Sequence, residues 1–233
     1  MQELDRIMAK EKEQVMRECR ENLPGDVAGD VQYALQQSKG TLKADLKRGQ
    51  GVDERVRGIV QNTFRLSVNA VSQKVFSKSA QKVSRYVAQH VYGAEPGVAD
   101  SCLPIGDLPK VTANGILSIA GGASLGFLLG GPIGALIGGL LGLFYREKKE
   151  QELENALQSM IGEVASHVRG AAATCLTDMA ERFWTALGEK VRETRADMER
   201  TLVLLEEQLQ KNEVEAQEQR KQIQSDLAVL EQR

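Results

Sequence analysis

The sequence predicts an all-α protein, an elongated helical bundle with a glycine-rich hydrophobic helical hairpin at one end. Three observations lead there. Apolar residues recur at helical spacing over long stretches. No alternating β-branched run bounded by turn residues marks a strand. The five prolines (Pro24, Pro96, Pro104, Pro109 and Pro132) leave everything from Arg146 to Arg233 free to continue as helix. Aromatic residues make up only 4% of the chain, which suits extended helices better than a thick globular core.

The elements follow in order. Residues 1–22 form a polar helix with a weak stripe of Leu4, Ile7, Met8, Val15 and Met16, ended by Leu23-Pro24-Gly25-Asp26. Val27, Val31, Ala34, Leu35, Leu42 and Leu46 keep helical spacing to about Arg48, and Gly49-Gln50-Gly51 is a turn. A long helix then carries Val52, Val56, Ile59, Val60, Phe64, Val68, Val71, Val75, Val83, Val87 and Val91 on one seam as far as Tyr92. Gly93 to Pro109, rich in proline and glycine, reads as a loop. Arg146 to Arg233 is one helical pattern, with Leu153 to Val191 marking its first half and Met198 to Leu230 its second. So long a pattern without caps indicates a coiled coil or an extended bundle. Three regions result: N-terminal stalk helices and loop over 1–110, a hydrophobic hairpin over 111–145, and a long C-terminal helix over 146–233.

The net charge of −2 gives no reason to expect nucleic acid. Residues 52–92 are basic and residues 147–233 acidic, so the two helices are expected to pack side by side, and because the hairpin between them begins and ends at one level, Val91 is expected near Leu153. Three cysteines (Cys19, Cys102 and Cys175), odd in number and far apart, fit a reducing compartment rather than a disulfide framework or zinc site. Met1–Glu21 is charged throughout and does not read as a secretory signal. The expected location is cytoplasmic, peripheral or monotopic at a membrane.

The functional expectation rests on residues 111–145, which contain no charged side chain in 35 positions. A run of that length normally signals a membrane. As one helix it would measure roughly 52 Å, longer than a hydrocarbon core of about 30 Å, and Gly130-Gly131-Pro132 would break it. Two arms of roughly 20 Å remain, about Gly115–Leu129 and Ile133–Tyr145. Such arms suit a hairpin entering one leaflet, or crossing only with tilt or thinning. Gly122, Gly126, Gly130, Gly134, Gly138 and Gly142 fall at every fourth position. This glycine zipper lets backbones approach closely in lipid. Leu125, Phe127, Leu128, Leu129, Ile133, Leu136, Ile137, Leu140, Leu141 and Phe144 are the expected membrane-binding residues. Lys110, Arg146, Lys148 and Lys149 flank them for contact with anionic headgroups. The competing reading buries the hairpin within the bundle or an oligomer.

The segment GGASLGFLLGGPIGALIGGLLG (121–142) and the tail LVLLEEQLQKNEVEAQEQRKQIQSDLAVLEQR (202–233), in this order after a helical stalk, resemble the paddle and returning stalk helix of bacterial dynamin-like proteins. The resemblance covers about residues 27–233. It implies membrane lipids as partners and a role in membrane remodelling, either as a homo-oligomer or with a GTPase-bearing partner. The chain has no G-x-x-x-x-G-K-[ST] phosphate loop, so the GTPase would be supplied elsewhere. Two other classes compete: an α-helical pore-forming protein or toxin component that inserts the hairpin on assembly, and a soluble coiled-coil scaffold. No catalytic constellation is apparent. His90 and His167 stand on different helices without a ligand set, and His167 and Cys175 are two helical turns apart. No enzyme activity, cofactor or metal is expected.

Overall fold

The computed structural model describes residues 2–49, 51–91 and 150–231, and among them every regular element is a helix. In chain order these are α1 (Gln2–Glu21), α2 (Leu23–Gln37), α3 (Lys39–Arg48), α4 (Val52–Val91) and α5 (Glu150–Glu231). The expected loop at 93–110 and hairpin at 111–145 lie outside the described residues.

Two boundaries differ from the sequence reading. Leu23-Pro24-Gly25-Asp26 opens α2 instead of forming a four-residue break. Pro24 occupies the first turn, where a missing N–H costs no helical hydrogen bond. Only Asn22 separates α1 from α2, and its N–H still donates to the Glu18 carbonyl at 3.1 Å. The helix expected over 27–48 is interrupted at Ser38, where ψ is 0°. Hydrogen bonds bridge that irregularity, from Ser38 N–H to Ala34 O at 3.2 Å and from Leu42 N–H to Ser38 O at 2.9 Å. Gly49 and Gly51 carry φ of 69° and 72°, the left-handed region that glycine enters without a Cβ clash. They reverse the chain into α4.

The chain divides into two units, Met1–Leu187 and Gly188–Arg233, and the helix α5 contributes residues to both. In the first unit α1, α2 and α3 follow one another antiparallel to α4. Lys82 of α4 meets Glu11 of α1 at 2.8 Å, Ser67 donates to Asp30 of α2, and Arg55 pairs with the buried Asp45 of α3. The α4 seam is buried at Val52, Val56, Val60, Phe64, Val68, Phe76, Ala80, Val83 and Val87. Val71 and Val75 are half-buried instead and line a cleft beside α1. Ser67, Ser72, Ser79 and Ser84 are buried between the valines. Their small side chains admit close helix packing.

The first part of α5 completes the core. Leu153, Leu157, Ile161, Val164, Val168, Leu176, Met179 and Phe183 are all buried, and the buried seam runs to Leu187. Phe183 stacks on Phe76 of α4 with ring centroids 4.8 Å apart and planes 6° apart, and Trp184 meets Phe183 edge-on at 5.2 Å.

The direction of α5 is the main correction to the sequence reading. A hairpin whose ends lie at one level would set the end of α4 beside the start of α5, with Val91 near Leu153. Instead, Glu150 binds Lys43 at 2.8 Å and Lys47 at 3.6 Å, next to the turn where α4 begins. Phe183, 33 residues further on, meets Phe76, 24 residues along α4. The two helices therefore run parallel, and residues 92–149 join opposite ends of α4, roughly 60 Å apart. Crosslinking checks this directly. In a Cys102→Ser background, cysteines at Lys47 and Glu150 should couple through a short bis-maleimide, whereas cysteines at Val91 and Leu153 should not. Cys19 and Cys175 are buried and should react slowly.

In the second unit the helix stands on local pairs: Lys190–Glu193 and Arg195–Glu199 at 3.0 Å, and Arg200–Asp197 at 2.8 Å. Pairs at i,i+3 and i,i+4 support a helix without tertiary contacts. Its apolar residues are not buried: Leu202, Leu205, Leu209 and Ile223 are 50–62% exposed.

Candidate functional site

The expected membrane-binding residues from Leu125 to Phe144, the glycine stripe from Gly122 to Gly142, and Lys110, Arg146, Lys148 and Lys149 all lie outside the described residues. What the structure provides is the framework on either side of them. α4 ends at Val91, and α5 starts at Glu150, one residue after Lys149. Among the described residues no helix is long and apolar enough to cross a membrane.

The first turns of α5 pair with α3 through a ladder of partly exposed ion pairs that the sequence reading missed. Lys39 binds Glu154 at 2.7 Å, Lys43 binds Glu150 at 2.8 Å and Glu154 at 3.4 Å, and Lys47 reaches Glu150. Lys39 also donates to Gln158 at 3.4 Å. A signal was present: lysines at 39, 43 and 47 and acceptors at 150, 154 and 158 share a spacing of four. Each set therefore lies along one helix face. The broad charge contrast between 52–92 and 147–233 pointed instead to α4 as the partner. Lys74, Lys78 and Lys82 of α4 face a cleft lined by Glu11 and Glu18 of α1 and by Asp26 of α2.

The ladder has a pH signature. The hydrogen bond and charge of Lys43 hold the Glu150 carboxyl below its ordinary range, and Lys39 acts first on Glu154. The Lys43 ammonium is raised above its ordinary value, chiefly by its hydrogen bond to Glu150. Carboxylates with a lowered folded pKa stabilise the fold above their unfolded value near 4.3, and that contribution fades as pH falls through the folded value. A lysine with a raised folded pKa contributes fully below about 10.4 and loses its contribution as pH rises through the folded value. The ladder should thus stabilise most between about pH 5 and 10. Thermal melts of wild type against Glu150→Gln with Glu154→Gln should show a gap at pH 7 that closes toward pH 2–3 and shrinks in high salt.

The other candidate groups occupy ordinary structural settings. His167 is exposed, with Nδ1 2.8 Å from the Glu163 carbonyl of its own helix. Burial pushes the Cys19 thiol up to about 12, aided by the charge of Glu18. Burial also raises Cys175 to about 11, with the Asp178 charge adding to the effect. Neither thiol supplies thiolate near neutral pH. No group of three or more metal-ligating side chains occurs among the described residues. Asp178 Oδ2 and Trp184 Nε1 are buried without a hydrogen-bond partner among the described residues.

No protein-family model matches the chain, and searches of curated proteins and of solved structures find no match either. The likeness to bacterial dynamin-like proteins stays a resemblance of pattern and order.

Proposed function

We propose that this chain is a membrane-binding helical scaffold that anchors to or remodels lipid bilayers through residues 111–145, acting with a GTPase supplied elsewhere. The observation that carries the reading is the uncharged run of 35 residues with glycine at every fourth position from Gly122 to Gly142. Such a run gains most from contact with hydrocarbon, and its glycine stripe suits close helix association there.

The bundle supports the reading in two ways. Its buried seams run along α4 and along α5 to Leu187, so the described helices have a core without help from the apolar segment. At the end of the bundle where α5 begins, Arg48 is exposed and Lys47 pairs with Glu150, and Arg146, Lys148 and Lys149 immediately precede Glu150 in sequence. Basic groups near an anionic surface contribute about 1 kcal/mol each. The reach of the chain permits the hairpin to stand at this end. Residues 92–110 can span at most roughly 65 Å, against roughly 60 Å for α4.

Liposome flotation tests the proposal. The full chain should float with vesicles containing anionic lipid and remain at the bottom of the gradient without them. Vesicles loaded with a small dye separate anchor from pore. Binding or tubulation without leakage is expected, whereas rapid dye release would favour the pore-forming alternative. Failure to float at any lipid composition would leave the segment an internally buried hairpin.

A further inference from the structure

The bundle's buried seam stops at Leu187, yet an apolar repeat continues beyond it on a face that the chain leaves exposed. From Met198 the repeat advances in alternating steps of four and three, through Met198, Leu202, Leu205, Leu209, Ala216 and Ile223, with the polar Asn212 and Gln219 at two of its positions. In heptad terms Leu202, Leu209, Ala216 and Ile223 take the a positions, and Met198, Leu205, Asn212 and Gln219 the d positions. Leu202, Leu205, Leu209 and Ile223 are at least half exposed. A helix with one apolar seam and hydrated flanks gains by pairing that seam with another.

We propose that residues 198–223 form a parallel, in-register two-stranded coiled coil with a second copy of this chain. Register and charge both select that occupant. Pairing in parallel sets each layer against itself, so Leu202, Leu205, Leu209 and Ile223 meet leucine or isoleucine. Asn212 and Gln219 then meet their own amides, which can hydrogen-bond to each other. An antiparallel pair at full overlap stacks a against d. It places Leu202 on Gln219 and Leu209 on Asn212, burying amides against hydrocarbon at a penalty. The flanking positions agree. In the parallel register Glu215 at g faces Arg220 at e of the other helix, Gln208 faces Glu213, and Thr201 faces Glu206, so no like charges are opposed. This deepens the expectation of a homo-oligomer and stands independently of membrane contact.

Self-crosslinking of the full chain in a Cys102→Ser background tests the proposal. Leu209→Cys, at the centre of the seam, should give a disulfide-linked dimer as the major product under mild oxidation. Val214→Cys, on the outer face of the same helix, should give little disulfide-linked product. Light scattering should give twice the chain mass of 25.5 kDa, falling to the single chain mass in Leu205→Asp with Leu209→Asp. These side chains are exposed, so that variant should retain the helical signal of the bundle. Both measurements are to be repeated with Leu128→Asp and Leu140→Asp added, which removes association through the apolar segment. Persistence of the dimer in that background supports the tail seam. No covalent dimer at position 209, or a mass unchanged by the tail substitutions, overturns the proposal whether or not the chain binds vesicles.

Discussion

Leu128→Asp combined with Leu140→Asp should abolish flotation with liposomes while leaving the helical circular dichroism of the chain intact. The two leucines lie on the two expected arms of the apolar segment, on either side of Gly130-Gly131-Pro132. An aspartate held at membrane depth costs about 2.5–3.5 kcal/mol on insertion scales. Two of them cost about 5–7 kcal/mol if both sit deep, several thousand-fold or more in partitioning. The bundle core lies elsewhere, along α4 and the first part of α5, so its melting temperature should barely change. If the double variant floats as wild type does, the segment is not the anchor. If it loses its folded melt as well, the segment belongs to the core.

The second large effect is expected at the aromatic contact between α4 and α5. Phe183→Ala should lower the stability of the first unit by about 3–5 kcal/mol, because it removes a large side chain from a site that cannot fully collapse. Phe183 is 2% exposed and packs on both Phe76 and Trp184. Folded domains have only about 5–15 kcal/mol of stability in total, so a marginal bundle could lose most of it. Phe76→Ala should cost a similar amount. The double variant should cost less than the sum of the two, since a stacked pair is coupled by about 0.5–1.5 kcal/mol. Urea unfolding of the four proteins measures all three quantities. Strict additivity, or a loss below about 1 kcal/mol for Phe183→Ala, would mean that the two helices do not pack through these rings.

Much of the helical framework was legible in the residues themselves. The α4 seam from Val52 to Val87 was visible because helical periodicity is a local property of the chain, and the Gly49–Gly51 turn because two residues there need left-handed backbone. Phe76 and the buried serines of α4 were not. Serine reads as a surface residue, and only the proximity of neighbouring helices makes a small hydroxyl side chain suitable for a core. Pro24 reads as a terminator and acts as a starter, because the same missing N–H is harmful inside a helix and harmless in its first turn. The lysine ladder of α3 was hidden by averaging charge over whole helices instead of following the spacing of single residues. The candidate membrane segment was legible only as composition and glycine spacing.

The sequence by itself determined the helical class, most of the apolar seam of α4 and the turn at Gly49–Gly51. The tertiary structure alone decided the direction of α5. An apolar stripe reads the same from either end, so a seam of leucines and valines packs on α4 whether the helices run parallel or antiparallel. The 58 residues between Val91 and Glu150 are long enough to allow both. The choice is fixed by contacts distant in sequence, Glu150 and Glu154 with the lysines of α3 and Phe183 with Phe76. Those contacts put the start of α5 beside the start of α4, because only that arrangement brings the charge ladder and the stacked rings together at once.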